Sequence, residues 1–377
     1  MKNKKILFLT GTRADFGKLK SLILRVEETE PLEAHIFATG MHMLSKYGMT
    51  VNEVVKSGFN SIYKYINQNN SDSMDVILSK TIHGLSDYVK ELAPDMIVVH
   101  GDRVEALAGA IVGSLNNILV AHIEGGEVSG TIDELIRHSV SKMSHLHFVS
   151  NERAKERLIQ LGECDNSIFV IGSPDLDIML SSDLPAIETV KSRYQIEFEN
   201  YAVFMYHPVT TELNNIPDNI KNTIDAIIAS NDNFVVIYPN NDHGSDLIIN
   251  ELSRLNNNER CRVFPSIRFE HFLTLLKNAQ YIIGNSSAGV REMPFYGIPS
   301  INLGTRQANR AIANSIINIP EEKELIIDAI NNCKLNIYHP IREFGEGNSD
   351  KLFVKQLIDK KLWDVSKQKT FKDLIND

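Results

Sequence analysis

Cysteine is scarce in this chain. Cys164, Cys261 and Cys333 stand far apart, with no C-x-x-C pair and no even framework. That excludes a disulfide scaffold and a zinc ribbon, and fits buried thiols in a reducing compartment. Long apolar runs are missing too, so no segment reaches the roughly 20 residues that cross a bilayer. The opening MKNKKILFLTGT has too short an apolar stretch for a signal peptide, and Arg13, Asp15 and Lys18 follow at once. A cytoplasmic protein with no membrane partner is expected. A basic excess is lacking: 39 Lys and Arg against 48 Asp and Glu leave a net charge of −9. Nucleic acid is therefore not an expected partner, and an acidic ligand must be met by local cations and helix N-termini. Neither H-E-x-x-H nor a complete Walker A loop occurs. In GTRADFGK, Gly11–Lys18, the glycine spacing is one too long, and Leu19 replaces the hydroxyl that would hold magnesium.

What the chain does contain is alternation. Its 377 residues suggest two domains. Strand-like runs at Lys5–Thr10, Leu32–Thr39, Met96–Val99, Ile118–Ala121, Leu146–Val149 and Ile168–Gly172 alternate with helical patterns, one of them long, Met41–Leu92. The pattern loosens around Ser181–Ile196. It restarts with Tyr201–Tyr206, Phe234–Tyr238, Arg262–Phe264, Tyr281–Ile283 and Pro299–Leu303. Such alternation argues an α/β protein of parallel, doubly wound sheets. We expect two Rossmann-like domains facing a cleft, residues 1–180 and 190–360, with a C-terminal helix at about 361–377 crossing back to the first.

The most informative stretch is Met96–Ser139. Two apolar strands end in His100-x-Asp102 and His122-x-Glu124. Alternation puts each His and its acid on one face, and parallel strands deliver both acids to the same sheet edge. Gly125, Gly126 and Gly130 then allow a sharp turn before a helix at Thr131–Ser144. Thr131 and Glu134 form a capping-box pattern, which leaves Asp133 to face the site or merely to complement the helix dipole. Two His and two acids are also a zinc-like set. Arg103 beside Asp102 argues against a cation, so no metal is expected.

Other motifs are weaker singly. Gly11 opens a strand-to-helix turn where Arg13 and Lys18 can meet a phosphate, although a plain structural turn has the same pattern. In GNSSAGVRE, Ser286 and Ser287 stand where a helix starts, and Glu292 lies one turn in, placed to accept ribose hydroxyls. Capping is the commoner use of Ser, and on spacing alone Glu292 reads as a surface acid. Arg306 follows the next strand. MYHPVTT puts His207 at a strand end, suited to phosphate binding or acid–base work, though a lone His is more often packed. IYPNND places Asn240 and Asp242 similarly. Together these make a phosphate-plus-sugar pocket.

The runs HGDRVEALAGA and HIEGGEVSGTIDELIRHS, with GTRAD, HPVTT, YPNND and GNSSAGVRE…INLGTRQ, resemble the hydrolysing UDP-N-acetylglucosamine 2-epimerases of sialic acid synthesis. The resemblance spans Gly11 to Gln307. It implies a glycosyltransferase-B-like fold, conversion of UDP-GlcNAc and water to UDP and N-acetylmannosamine without a cofactor, and a homodimer or homotetramer. Asp102, Glu124 and Asp133 match the family's catalytic acids. The matching UDP pocket is Arg13, Arg103, His207, Asn240, the Ile267 backbone, Ser286, Ser287, Glu292 and Arg306. Two related activities are near neighbours: hydrolysis of UDP-N,N'-diacetylbacillosamine, and non-hydrolysing epimerisation, whose enzymes look like HVEAGLRT where this chain has HIEGGEVSG.

Overall fold

The computed structural model describes residues 3–69, 71–128, 132–182, 184–308, 313–370 and 372–373. The chain divides into two units: residues 1–127, 133–182 and 343–377, and residues 128–132 and 183–342. In the first, the described strands are β1 Lys4–Thr10, β2 Leu32–Ala38, β3 Ile62–Lys64, β4 Met96–His100, β5 Leu119–Ile123, β6 Leu146–Val149 and β7 Ile168–Val170. All pair in parallel, in the order β3-β2-β1-β4-β5-β6-β7. A parallel sheet is covered on both faces and needs strands that are apolar on both. Met96 through Val99 are accordingly all fully buried.

The second unit repeats the plan with β8 Ala202–Met205, β9 Phe234–Ile237, β10 Cys261–Phe264, β11 Ile282–Gly284, β12 Ser300–Leu303 and β13 Ile316–Ile319. These also run parallel, in the order β10-β9-β8-β11-β12-β13. The winding direction reverses between β1 and β4, and again between β8 and β11. Ligands of open parallel sheets bind at the carboxyl ends of strands beside such a reversal.

Three sequence boundaries shift. The Met41–Leu92 stretch is not one helical region: helices Val51–Lys56 and Met74–Leu92 flank β3, whose Tyr63 stacks on Tyr88 at 4.2 Å. Strand β13, an edge strand paired with β12, is also not among the strands read from the sequence. The second domain ends near residue 342 rather than 360. Helix Ser349–Ile358 buries Phe353 and Leu357 in the first core, and Asp177 accepts the Ser349 and Asp350 amides at 2.9 and 3.0 Å. Residues Lys360–Asp364 form a 3₁₀ turn. Cys261 and Cys333 are buried thiols with pKa pushed up to about 11 by burial, whereas Cys164 is exposed in a loop, contrary to expectation. Among the described residues no helix is long and apolar enough to cross a membrane.

Candidate active site

In the first unit β4 and β5 run in register, His100 opposite Ile123. Gly101 follows β4 with φ +70, and the turn carries Asp102. His122 braces that turn. Its Nε2 donates to the Gly101 carbonyl at 2.8 Å, and its Nδ1 lies 3.0 Å from Ser141 Oγ. Desolvation pushes the His122 pKa down to about 3, so the ring is neutral and both nitrogens are committed. It serves the scaffold rather than a metal.

Glu124 has φ +61, a strain of about 1–3 kcal/mol for a non-glycine residue that surrounding contacts must hold. Its amide donates to the Phe148 carbonyl at 2.9 Å, and its carbonyl accepts Arg137 Nη1 at 2.7 Å. Its carboxylate accepts the Ser173 hydroxyl and lies 3.1 Å from His100 Nε2 and 3.7 Å from Lys18 Nζ. Lys18 in turn is 3.1 Å from Asp175 Oδ2, and Lys18, Glu124 and Asp175 are all buried. The other arm of Arg137 donates to Asp102. One buried guanidinium therefore ties the carboxylate of one acid to the backbone of the other. Asp102 keeps 22% side-chain exposure against 3% for Glu124, so it is the more accessible of the two. Asp133 lies half-buried in the first turn of helix Ile132–Met143, on the same face as Arg137 four residues on. Gly130 and Thr131 lie outside the described residues, so the Thr131–Glu134 capping box does too. Glu134 sits 3.4 Å from His138 Nε2.

The β1 loop caps its own helix. Asp15 accepts the Gly11 and Thr12 amides at 3.0 and 2.9 Å, and Thr12 Oγ1 accepts the Asp15 amide at 3.2 Å. A capping box thus uses the amides that a phosphate would need. Lys18 faces Glu124 and Asp175, while Arg13 Nη2 pairs with Glu53 at 2.7 Å. Arg103 Nε lies 3.3 Å from Glu105.

In the second unit β8 and β11 are neighbours at the reversal, and His207 and Asn285 follow them. Asn285 Oδ1 accepts the His207 amide at 2.6 Å, and its Nδ2 donates to the His207 carbonyl at 2.8 Å. His207 Nδ1 accepts the Asn240 amide at 3.0 Å, and Asn240 Nδ2 donates to Asp242. The Asn285 carbonyl accepts Gln307 Nε2 at 3.0 Å and Arg306 Nη1 at 3.3 Å. Ser286 Oγ accepts the Ala288 amide at 3.3 Å. Behind it is no long helix. Ser287–Gly289 is a 3₁₀ turn, and Glu292–Tyr296 is a separate five-residue helix that Pro294 and Gly297, with φ +70, keep short. The macrodipole expected behind Ser286 and Ser287 is therefore absent, leaving hydroxyls and backbone amides. Glu292 is buried rather than a surface acid, and Ile267 packs its side chain into the core.

Over residues 24–358 the sequence matches the family described as UDP-N-acetylglucosamine 2-epimerase. The chain belongs to that family. A UDP-N-acetylglucosamine 2-epimerase of Neisseria meningitidis is 48% identical, covering 98% of this chain and 99% of that one. A hydrolysing UDP-N,N'-diacetylbacillosamine 2-epimerase of Legionella pneumophila is 33% identical over 88% of this chain and 90% of its own length. The crystal structure of the Methanocaldococcus jannaschii UDP-GlcNAc 2-epimerase, in complex with UDP-GlcNAc and UDP, superposes with a TM-score of 0.81 at 24% identity, over 94% and 99% of the chains. The two parallel α/β units are thus the glycosyltransferase-B-like fold of the epimerases.

In this family member the structure gathers Asp102, Glu124 and Lys18 in one unit, and His207, Asn240 and Arg306 in the other. Sequence reasoning missed Arg137, Ser173, Asp175, Asn285 and Glu105. Arg137 alone carried a usable signal, as a charge one turn beyond Asp133 on the face that also carries Ile136 and Val140.

Proposed function

We propose that the protein hydrolyses UDP-GlcNAc with inversion at C2, giving UDP and N-acetylmannosamine, the opening step of sialic acid synthesis. The supporting observation is the pair of acids at adjacent strand ends, with Arg137 donating to the Asp102 carboxylate and the Glu124 carbonyl and Lys18 beside the Glu124 carboxylate. The C2 hydrogen of the sugar is not acidic, so its removal requires UDP to be leaving C1 as the proton departs. A carboxylate stabilises the cation-like ring and takes that proton, giving UDP and 2-acetamidoglucal. Water then adds its hydroxyl to C1, while a second carboxylate delivers a proton to C2 from the opposite face. Glu124 and Asp102 perform these transfers with Asp133 assisting. His207, Ser286, Ser287, Arg306, Arg13 and Arg103 neutralise the diphosphate, Glu292 holds the ribose, and Asn240 with the Ile267 backbone completes the nucleotide pocket. Lys18, read from sequence as a phosphate cation, acts instead as the countercharge of Glu124.

Phosphorus NMR of the protein with UDP-GlcNAc tests this reading. The diphosphate–sugar signal should vanish and free UDP should grow without any acceptor. A persistent UDP-hexose signal with only the sugar changed would assign a non-hydrolysing epimerase. Turnover of UDP-N,N'-diacetylbacillosamine in preference to UDP-GlcNAc would move the assignment to the activity named for the Legionella relative.

A further inference from the structure

We propose that Asn285 is a positioning residue for nucleotide binding, holding the backbone of His207, whose ring the Asn240 amide fixes as an Nε2–H donor, and receiving Arg306 from the loop after β12. The assignment rests on the function proposed above. Strand β11 ends at Gly284, with φ +131, where a Cβ would stand 2.0 Å from the Met205 carbonyl of β8. A side chain cannot enter there, and regular pairing stops. One residue later the Asn285 side chain takes over the ladder, receiving the His207 amide and donating to the His207 carbonyl at 2.6 and 2.8 Å. A carboxamide offers an acceptor and a donor on two separate atoms, which a carboxylate does not.

The consequence reaches the ring. The Asn240 amide can only donate, so the His207 Nδ1 that receives it at 3.0 Å carries no proton. A neutral ring then holds its proton on Nε2 and presents a donor, suited to an anionic oxygen and unsuited to taking a proton. The same Asn285 binds Gln307 and Arg306 through its carbonyl. Three loops, following β8, β11 and β12, thus meet on one fully buried side chain and its backbone.

The test is calorimetric titration of UDP into the wild type, Asn285→Asp, Asn285→Ser, His207→Ala and the paired variants. Asn285→Asp retains the acceptor for the His207 amide and loses the donor. UDP affinity should fall about tenfold in both Asn285 variants, and by under about threefold when His207 is already Ala, because the two act through one contact. A residue that merely closes a turn would leave UDP affinity unmoved, or give losses that multiply in the double variant, and either result overturns the proposal. Nitrogen-15 histidine spectra of the wild type need no variant: a His207 ring protonated on Nδ1 also overturns it. If wild-type protein neither binds UDP nor hydrolyses UDP-GlcNAc, the functional reading fails and takes the assignment with it. If the wild type does both and Asn285→Asp matches it, the assignment alone fails.

Discussion

At the residue scale, the two acids differ in how they are held. Asp102 is anchored by a buried guanidinium, whereas Glu124 is held on a strained backbone beside a hydroxyl, a histidine and a lysine. Asp102→Asn and Glu124→Gln preserve shape and remove the basic oxygen. Each should lower kcat by roughly 10²–10⁴-fold, while UDP affinity, read by titration, stays close to wild type. Elimination and hydration need proton transfers on opposite faces of C2, so at least one variant should release 2-acetamidoglucal. In heavy water the wild-type product should carry one deuterium at C2. Near-normal turnover in both variants, or no solvent deuterium at C2, would remove these acids from the mechanism.

At the element scale, helix Ile132–Met143 connects the acids to the C-terminal tail. Its first turns carry Asp133 and Arg137. At its other end Lys369 Nζ donates to the Lys142 and Ser144 carbonyls at 2.9 and 2.6 Å and to Glu163 Oε2 at 2.5 Å. A cation at a helix C-terminus satisfies orphan carbonyls and complements the dipole. Glu163 is buried and also 2.9 Å from His147 Nε2, so losing Lys369 strips a buried carboxylate of a partner. Lys369→Met should destabilise the first unit by about 2–4 kcal/mol. Trp363 is the chain's sole tryptophan and packs in that unit, its indole donating to the Leu357 carbonyl at 2.9 Å. Urea unfolding followed by its fluorescence measures the change, and a midpoint unaltered from wild type would show the latch to be idle.

For the whole molecule, several histidines of the first unit are buried neutral. His122 and His42 have pKa values pushed down to about 3 and about 4, each mainly by desolvation, and His147 and His145 are lowered for the same reason. The unfolded chain protonates His122 and His42 below about pH 6.5, while in the folded chain these two stay neutral down to about pH 3 and about pH 4. Their contribution is therefore complete above pH 6.5 and is lost as pH falls toward 4, at about 1.4 kcal/mol per pH unit for each ring. Glu163, lowered to about 2 by His147 and Lys369 against the opposing cost of its burial, acts later, its share disappearing from about pH 4.5 downward. The Trp363 transition should thus shift steeply to lower urea between pH 7 and 5. His122→Asn, which retains a donor for the Gly101 carbonyl, should flatten that slope by about 1.4 kcal/mol per unit. An identical slope in the variant would show that His122 is not the buried neutral ring described here.

Local pattern was enough to read the parallel α/β plan and to set Asp102 and Glu124 at strand ends, because strand alternation and apolar runs are properties of neighbouring residues. His207, Asn240 and Ser286 were legible for the same reason. Strands β3 and β13 were not: each lies at a sheet edge and pairs with one neighbouring strand. In the β1 loop the sequence shows a glycine turn but not that Asp15 reaches back to cap it. The remaining machinery depends on contacts that no local pattern encodes. Arg137 meets Asp102 across 35 positions, Ser173 meets Glu124 across 49 and Asn285 meets His207 across 78. Bringing such partners together is the work of strand order, and a buried charge or carboxamide acquires its role only when the sheet has chosen its neighbours.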